Sequence, residues 1–472
     1  MEQKKAVVYQ WSLFEDRPNK KTIPHSEDCE VVFGAEAGKG LQAVGAGEQE
    51  RALVSHLMAT VCSPDNFSRA FKRVKKNKGA AGIDGMVTGE FASWYNREGQ
   101  GLIEKLLNGT YKPEAVRPVE ISKPNGGKRQ LGIPTVTDRI IQQAISQVLE
   151  QIYDHTFSES SFGYRPKRST HQALKTAQGH VREGREVVVE IDLKNFFDVV
   201  NHNRLMSRLC ERIGDKTLLS LIRKYLQSGV MIGGLVSQRT EGTPQGSPLS
   251  PILSNIVLDE LDKELESRGH KFVRYADDCN IYVRSQTAGV RILKNIGNFI
   301  ETKLKLRVNR EKSKVSLSYQ TKFLGYTISR HGHLLIAEQS LKRLKSKVRT
   351  ITRRNRGSSL EQIVEELNTV LRGWQEYFSI AQASSHYKAM DAWIRHKLRC
   401  YKLKQLKRVY TVVRFLRSRG VAEFRCWITA CSGKGFWRLS MAHSMHEAMN
   451  LKWFESLGLY SLLANVVRFK SK

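Results

Sequence analysis

The chain has 472 residues, 40% of them hydrophobic, enough for about three domains with true cores. Lys and Arg outnumber Asp and Glu by 77 to 46, and a net charge of +31 repels itself unless a polyanion neutralises it. No run of about 18 apolar residues is present to span a membrane, residues 1–17 lack the apolar stretch of a secretory signal, and seven scattered cysteines suit free thiols in a reducing, cytoplasmic setting.

Residues 1–60 read as an N-terminal extension, with a Gly/Ala-rich linker over 33–47. Gly34 to Gly40 superficially resembles a phosphate loop but lacks its spacing and the hydroxyl after Lys39. Order is expected from about Ser63, where Ser63-Pro64-Asp65 offers helix-start residues. Phe67, Ala70, Phe71 and Val74 then follow at helical spacing. The opposite face carries Arg69, Lys72, Arg73, Lys75, Lys76 and Lys78. Such a helix can be a solvated face, a membrane-surface helix or an RNA contact, and the global charge favours RNA.

From Val116 to Ile121 the pattern is strand-like. Lys123-Pro-Asn-Gly-Gly-Lys-Arg129 is a turn, and Leu131-Gly-Ile-Pro134 returns, so a hairpin with basic flanks is expected. Ile140 to Ile152 has helical periodicity. Val187 to Ile191 reads as a buried central strand that delivers Asp192 at its end. Gly242-Thr-Pro-Gln245-Gly-Ser247-Pro-Leu-Ser-Pro251 holds two glycines and three prolines, a rigid loop before a helix start at Ile252.

Tyr275-Ala276-Asp277-Asp278 lies between Phe272-Val273 and Ile281-Tyr282-Val283, a strand, tight turn and strand with two acids at the tip. A solvated turn would explain one Asp, but adjacent carboxylates repel each other. A hard divalent cation such as Mg²⁺ removes that repulsion and binds phosphate oxygens as well. If the strand ending at Asp192 lies alongside, three carboxylates meet. Two metals held there would clamp the attacking and leaving oxygens of a phosphoryl transfer.

Beyond Ser329 the pattern is mostly helical. Leu360, Ile363, Val364, Leu367, Leu371, Trp374 and Phe378 form one apolar stripe, the core face of a bundle. From His331 onward there are 27 basic against 9 acidic residues, so over half of the charge surplus lies in the last third. Arg395, Lys397, Arg399, Lys402, Lys404, Lys407 and Arg408 belong to a run without acids, interleaved with Trp393, Tyr401, Tyr410 and Phe415. One-signed charge mixed with rings points to RNA. Cys426 and Cys431 with His443 and His446 lack the second tight pair of a zinc site; burial as small hydrophobes is the plainer expectation.

Taken together, these motifs resemble the group II intron reverse transcriptase–maturases. The tetrad Tyr275–Asp278, the block Glu190-Ile-Asp192-Leu-Lys-Asn-Phe-Phe197-Asp and the loop Gly242–Pro251 match that family. So do Ser161-Phe-Gly-Tyr-Arg-Pro166, Arg129 before Leu-Gly-Ile-Pro-Thr135, and Phe323-Leu-Gly-Tyr326, all in family order. Arg372-Gly-Trp374-Gln-Glu-Tyr-Phe378 resembles the thumb or maturase region. The match covers about residues 60–472 and is similar to the bacterial class that lacks an endonuclease domain.

The resemblance implies an α+β right-hand polymerase with fingers (61–185), an antiparallel palm sheet (186–329) and a helical thumb and basic maturase region (330–472). It implies Asp192, Asp277 and Asp278 as metal carboxylates, with the Leu193 carbonyl as a further ligand, and two Mg²⁺ as cofactor. Lys123 and Arg129 would grip the triphosphate, Gln245 would lie by the incoming nucleotide, and the Phe197 ring would reject a ribose 2′-OH. Lys312 would protonate pyrophosphate, and Tyr326 would lie near the primer grip. Ser247 stands where relatives often have Gly, and Cys279 follows the tetrad; neither removes a needed group.

The expected partners are intron RNA, an RNA template with a DNA primer or target, and dNTPs, and the expected activity is RNA-directed DNA synthesis with splicing and retrohoming. The residues leave open a host-adopted reverse transcriptase for repair or phage defence, and a splicing cofactor with an idle polymerase site. An RNA-copying RNA polymerase would carry a residue smaller than Phe197. The chain is expected to act as a monomer or a homodimer.

Overall fold

The computed structural model describes residues 56–122, 128–194, 196–232, 235–237, 242 and 246–470; the Gly/Ala-rich stretch 33–47 lies outside them. Contacts divide the chain into two compact units that part between Leu317 and Ser318, earlier than the thumb start at 330 expected from sequence.

The first unit begins with α1 (Leu57–Cys62), upstream of the helix expected first. In α2 (Pro64–Lys76), Phe67, Ala70, Phe71 and Val74 are buried, while Arg69, Lys72, Arg73, Lys75 and Lys76 face solvent. Ser63 does not cap this helix. Its hydroxyl donates backward to Thr60 O at 2.9 Å, and Pro64, which has no amide to satisfy, opens the helix instead. Phe91 of α3 (Phe91–Leu107) packs on Phe71, with ring centroids 5.3 Å apart.

The expected basic hairpin is present as β1 (Arg117–Ser122) and β2 (Lys128–Ile133), antiparallel, with Ile121 opposite Arg129. α4 (Val136–Tyr153) starts a turn before the apolar periodicity does, because Thr135 caps it by accepting from Asp138 N. α4 is buried almost all round. Even its Asp138 carboxylate is enclosed, accepting from Tyr111, Tyr225 and Thr135 hydroxyls at 2.9 Å each.

α5 (Thr170–Arg182) opens on a capping box made by Ser169 and Gln172. After it come β3 (Val187–Ile191), α6 (Phe196–Val199), α7 (His202–Cys210) and α8 (Lys216–Gln227). The chain continues through β4 (Val230–Ile232), β5 (Leu235–Ser237) and α9 (Ser250–Ser267). β6 (Lys271–Tyr275), β7 (Asp278–Val283), α10 (Gln286–Thr302) and β8 (Lys314–Leu317) complete the unit.

The palm sheet has the order β6-β7-β3-β8 and is antiparallel throughout. Its central strand β3 is an unbroken apolar run apart from Glu190 because helices cover both faces. Val187 and Val189 face α10, where Gly289 permits close approach: a Cβ there would meet Val315 at 2.5 Å. Val188 and its cross-strand partner Tyr282 point the other way, and His180 of α5 packs on Tyr282 with centroids 5.4 Å apart.

The second unit opens with the hairpin β9 (Tyr326–Ile328) and β10 (Leu334–Ile336). α11 (Glu338–Ile351), α12 (Leu360–Tyr377), α13 (Ser384–Leu406), α14 (Val409–Arg417) and α15 (Glu423–Ala430) follow. Four last helices are α16 (Phe436–Leu439), α17 (His443–Ala448), α18 (Leu451–Ser456) and α19 (Leu462–Lys470). The α12 stripe is buried as expected except Trp374, which is half-buried. Lys407, at φ +55°, separates α13 from α14 inside the basic run. α19 is docked through Asp391, whose carboxylate accepts from Leu462 N and Leu463 N at 3.0 Å each. Cys426 is wholly buried as expected, but Cys431, at the end of α15, is exposed, against that expectation.

Candidate active site

The acidic tetrad forms the tip of the β6–β7 hairpin. Tyr275 pairs with Asp278, leaving Ala276 and Asp277 as a two-residue turn. On the other side of β7, Ile191 of β3 pairs with Cys279. Extending that register by one residue sets Asp192 across from Asp278, where facing backbone positions lie roughly 4.5–5.5 Å apart. The expected juxtaposition of the two strands is therefore present.

Among the described residues, no three acidic, His or Cys side chains converge as a metal-holding group. Asp192 has partners of its own. Its Oδ2 accepts from Asn309 Nδ2 at 2.8 Å and lies 3.7 Å from Lys312 Nζ. The donor set still fits a hard divalent ion: Asp192, Asp277 and Asp278 supply carboxylate oxygens only.

The backbone around Asp192 is clamped to the segment before β8. Asp192 N donates to Ser313 Oγ at 3.0 Å, and Asn309 N donates to Asp192 O at 2.8 Å. Leu193 bridges Val308, and Lys194 N donates to Arg307 O at 2.8 Å. Asn309 and Ser313 were not singled out from sequence. Their signal was weak: short polar residues flanking Lys312, far along the chain from Asp192.

Of the expected nucleotide contacts, Lys123 and Gln245 lie outside the described residues, and Arg129 is described only in its backbone pairing. Phe197 is half-buried and meets Phe196 edge-on at 5.3 Å. Both ends of the Gly/Pro loop are tied down. Gly242 N donates to Val200 O at 2.9 Å, and Gly242 O lies 2.6 Å from His202 Nε2. Ser247 Oγ donates to Gln142 Oε1 at 2.5 Å, so the residue found in place of Gly serves as an anchor.

Three residues of the second unit point inward. Tyr326 is wholly buried; its hydroxyl donates to Tyr377 O and its ring packs on Phe378 at 4.9 Å, so this side chain offers no surface to a primer. Arg399 is 5% exposed, donates to Met449 O at 2.8 Å and covers the Phe454 ring. Burial, then the neighbouring Arg395 charge, lowers its guanidinium to about 10. Tyr401 is also buried, donating to Ser358 O at 2.7 Å. Arg399 and Tyr401 face inward on α13, whose accessible face is basic.

Other members of the basic run stay accessible. Lys404, Lys407 and Arg408 are exposed, and Arg395, Lys397 and Lys402 are half-buried. Lys397 Nζ lies over Trp437 at 4.9 Å, and Lys402 Nζ over Phe415 at 5.4 Å. In the first unit, Arg69, Lys72, Arg73 and Lys76 line an open groove of about 980 Å³ together with Lys167.

A tight acidic hairpin beside a third aspartate on a helix-covered antiparallel sheet has the palm arrangement expected from the sequence. Residues 121–328 match the family described as reverse transcriptase (RNA-dependent DNA polymerase), and residues 341–420 match the group II intron maturase-specific domain. Protein YkfC of Escherichia coli (strain K12) is 31% identical over 60% of this chain and 86% of its own length. Group II intron-encoded protein LtrA of Lactococcus lactis subsp. cremoris is 35% identical over 60% of this chain and 46% of its own length. The putative COX1/OXI3 intron 2 protein of Saccharomyces cerevisiae is 30% identical over 55% of this chain and 37% of its own length. The chain thus spans less than half of those last two relatives. It belongs to the group II intron reverse transcriptase–maturases, whose enzymatic class is RNA-directed DNA polymerase.

Proposed function

We propose that this chain copies RNA into DNA from dNTPs at Asp192, Asp277 and Asp278 with two Mg²⁺ ions, and that it binds its intron RNA to promote splicing and retrohoming. The observation that carries the catalytic part is the register that sets Asp192 across from Asp278 at the end of the palm sheet. The carboxylates of Asp192, Asp277 and Asp278 and the Leu193 carbonyl would hold the metal, which would supply Lewis acidity that eases loss of the primer 3′-hydroxyl proton to solvent and offsets phosphate charge. The 3′-oxygen attacks the α-phosphorus, and pyrophosphate leaves.

The protein's own groups account for the rest. Asn309 orients Asp192, and Lys312, beside it, delivers a proton to the departing pyrophosphate. Phe197, half-buried, leaves ring surface to exclude a 2′-hydroxyl. Lys123, Arg129 and Gln245 complete nucleotide binding. RNA is held by the outer face of α2 and by the exposed cations Lys404, Lys407 and Arg408.

Primer extension on an RNA template, with dNTPs and rNTPs compared for wild type and Phe197→Ala, tests this reading. The expected result is dNTP preference in wild type and gain of rNTP use in the variant. Equal use of both nucleotides by wild type would contradict it.

A further inference from the structure

The turn that carries Asp277 adopts a backbone shape that alanine does not favour. Ala276 has φ +58°, at the first position of a two-residue hairpin turn, where the left-handed region is usually filled by Gly or Asn. Strain of this kind persists only where the surroundings over-determine it.

The surroundings here are specific. Arg274 is wholly buried and directs Nη1 to Ala276 O at 2.9 Å and to Asn255 Oδ1 at 3.0 Å. Its Nε and Nη2 meet the two carboxylate oxygens of buried Asp262 at 2.7 and 2.5 Å. Asn255 Nδ2 donates onward to Gly163 O at 3.0 Å. Gly163 presses against the turn from outside: a Cβ there would lie 2.1 Å from Ala276 N. The two segments are stitched by Arg274 N to Ser160 O and Phe162 N to Arg274 O, both 2.9 Å.

A buried ion pair is seldom the most stable filling for a core, and apolar residues of similar volume often do as well. The fork of Arg274 does what an apolar pair cannot. It grips the carbonyl of the peptide that joins Ala276 to Asp277, and so orients that peptide plane.

We propose that Arg274, set by Asp262 and backed by Gly163, is a positioning residue that holds the Ala276–Asp277 peptide so that Asp277 is aimed for metal binding. It acts through Asp277 and touches no substrate. The inference rests on the polymerase reading above.

The test is the paired substitution Arg274→Met with Asp262→Leu, which leaves no unpaired buried charge. Thermal unfolding, primer–template affinity, Mn²⁺ binding to the free protein by electron paramagnetic resonance, and steady-state extension are measured. The expected result is a near-wild-type melting temperature and nucleic-acid affinity, with Mn²⁺ binding and kcat each about 10–100-fold weaker, the usual effect of losing an outer partner of a metal ligand. If that variant does not fold, Arg274→Lys is used, since an ammonium keeps the charge but lacks the fork that serves Asp262 and Ala276 together; the same losses are expected. Wild-type Mn²⁺ affinity and kcat in either folded variant would overturn the inference while leaving the polymerase reading intact. Absence of extension in wild type would instead remove the reading on which it rests.

Discussion

Asn309 Nδ2 donates to Asp192 Oδ2 at 2.8 Å, across 117 residues of sequence, and this contact holds a palm carboxylate in place before any metal arrives. Replacing Asn309 with Ala removes the donor while leaving the fold unstrained. Steady-state extension is expected to show kcat down about 10–100-fold with template–primer KM unchanged. Asn309→Asp, which adds a like charge beside Asp192, is expected to be worse than Ala. A variant with intact kcat would show that Asp192 needs no such support.

Lys312 sits 3.7 Å from Asp192 and keeps most of its side chain in solvent, so it is free to follow a leaving group. Lys312→Ala is expected to slow single-nucleotide incorporation by about 10²-fold, the lower range for loss of a general acid. The solvent isotope effect on incorporation should change with it. A slower rate with an unchanged isotope effect would assign Lys312 to holding Asp192 alone.

The basic run of the second unit contains both exposed and buried cations, and only the exposed ones are proposed as RNA contacts. Arg399→Met is expected to lower thermal stability without changing how RNA affinity falls with salt, because its guanidinium already serves Met449 O. Lys404→Ala and Lys407→Ala, at exposed positions, should each reduce the salt slope by about 1 if each neutralises a phosphate. Filter-binding across a salt series, with a melting curve for each variant, measures both.

Glu260 ties α7 to α9 by accepting from Arg204 and Arg208. Burial pushes its carboxyl up, but the two guanidinium groups outweigh this and hold it below the usual value of 4.5. A depressed carboxyl contributes stability above its unfolded pKa and loses it as pH falls through the folded one. Glu260→Gln should therefore melt about 2 °C below wild type near pH 7, and the gap should narrow as the pH falls below the usual carboxyl value of 4.5. A gap that persists unchanged into acid would contradict the assignment.

Much of the palm was legible because its strands are short, apolar and bounded by turn residues. β3, the hairpin around Ala276 and Asp277, and the buried face of α2 all follow from periodicity that burial enforces. α4 was seen only in part, since a helix buried on every side shows little amphipathic contrast, and its true start depends on the Thr135 cap. α1 is too short for periodicity to mark it. At the site, Asp192, Asp277 and Asp278 stood out through charge placed where an apolar strand ends. Asn309, Ser313 and Arg274 did not, because their importance lies in contacts between distant segments. Arg399 differs from its basic neighbours for a related reason: residue type signals RNA contact, whereas exposure decides it, and exposure is a tertiary property.

RNA-templated DNA synthesis is proposed to depend on the Asp277 carboxylate. Single-turnover extension of a DNA primer on an RNA template, with dNTPs and Mg²⁺, tests it most directly when wild type and Asp277→Ala are compared at equal template–primer occupancy. Rapid incorporation by wild type, with loss of at least about 10³-fold in the variant, is the predicted result. Undiminished incorporation by Asp277→Ala would contradict the account.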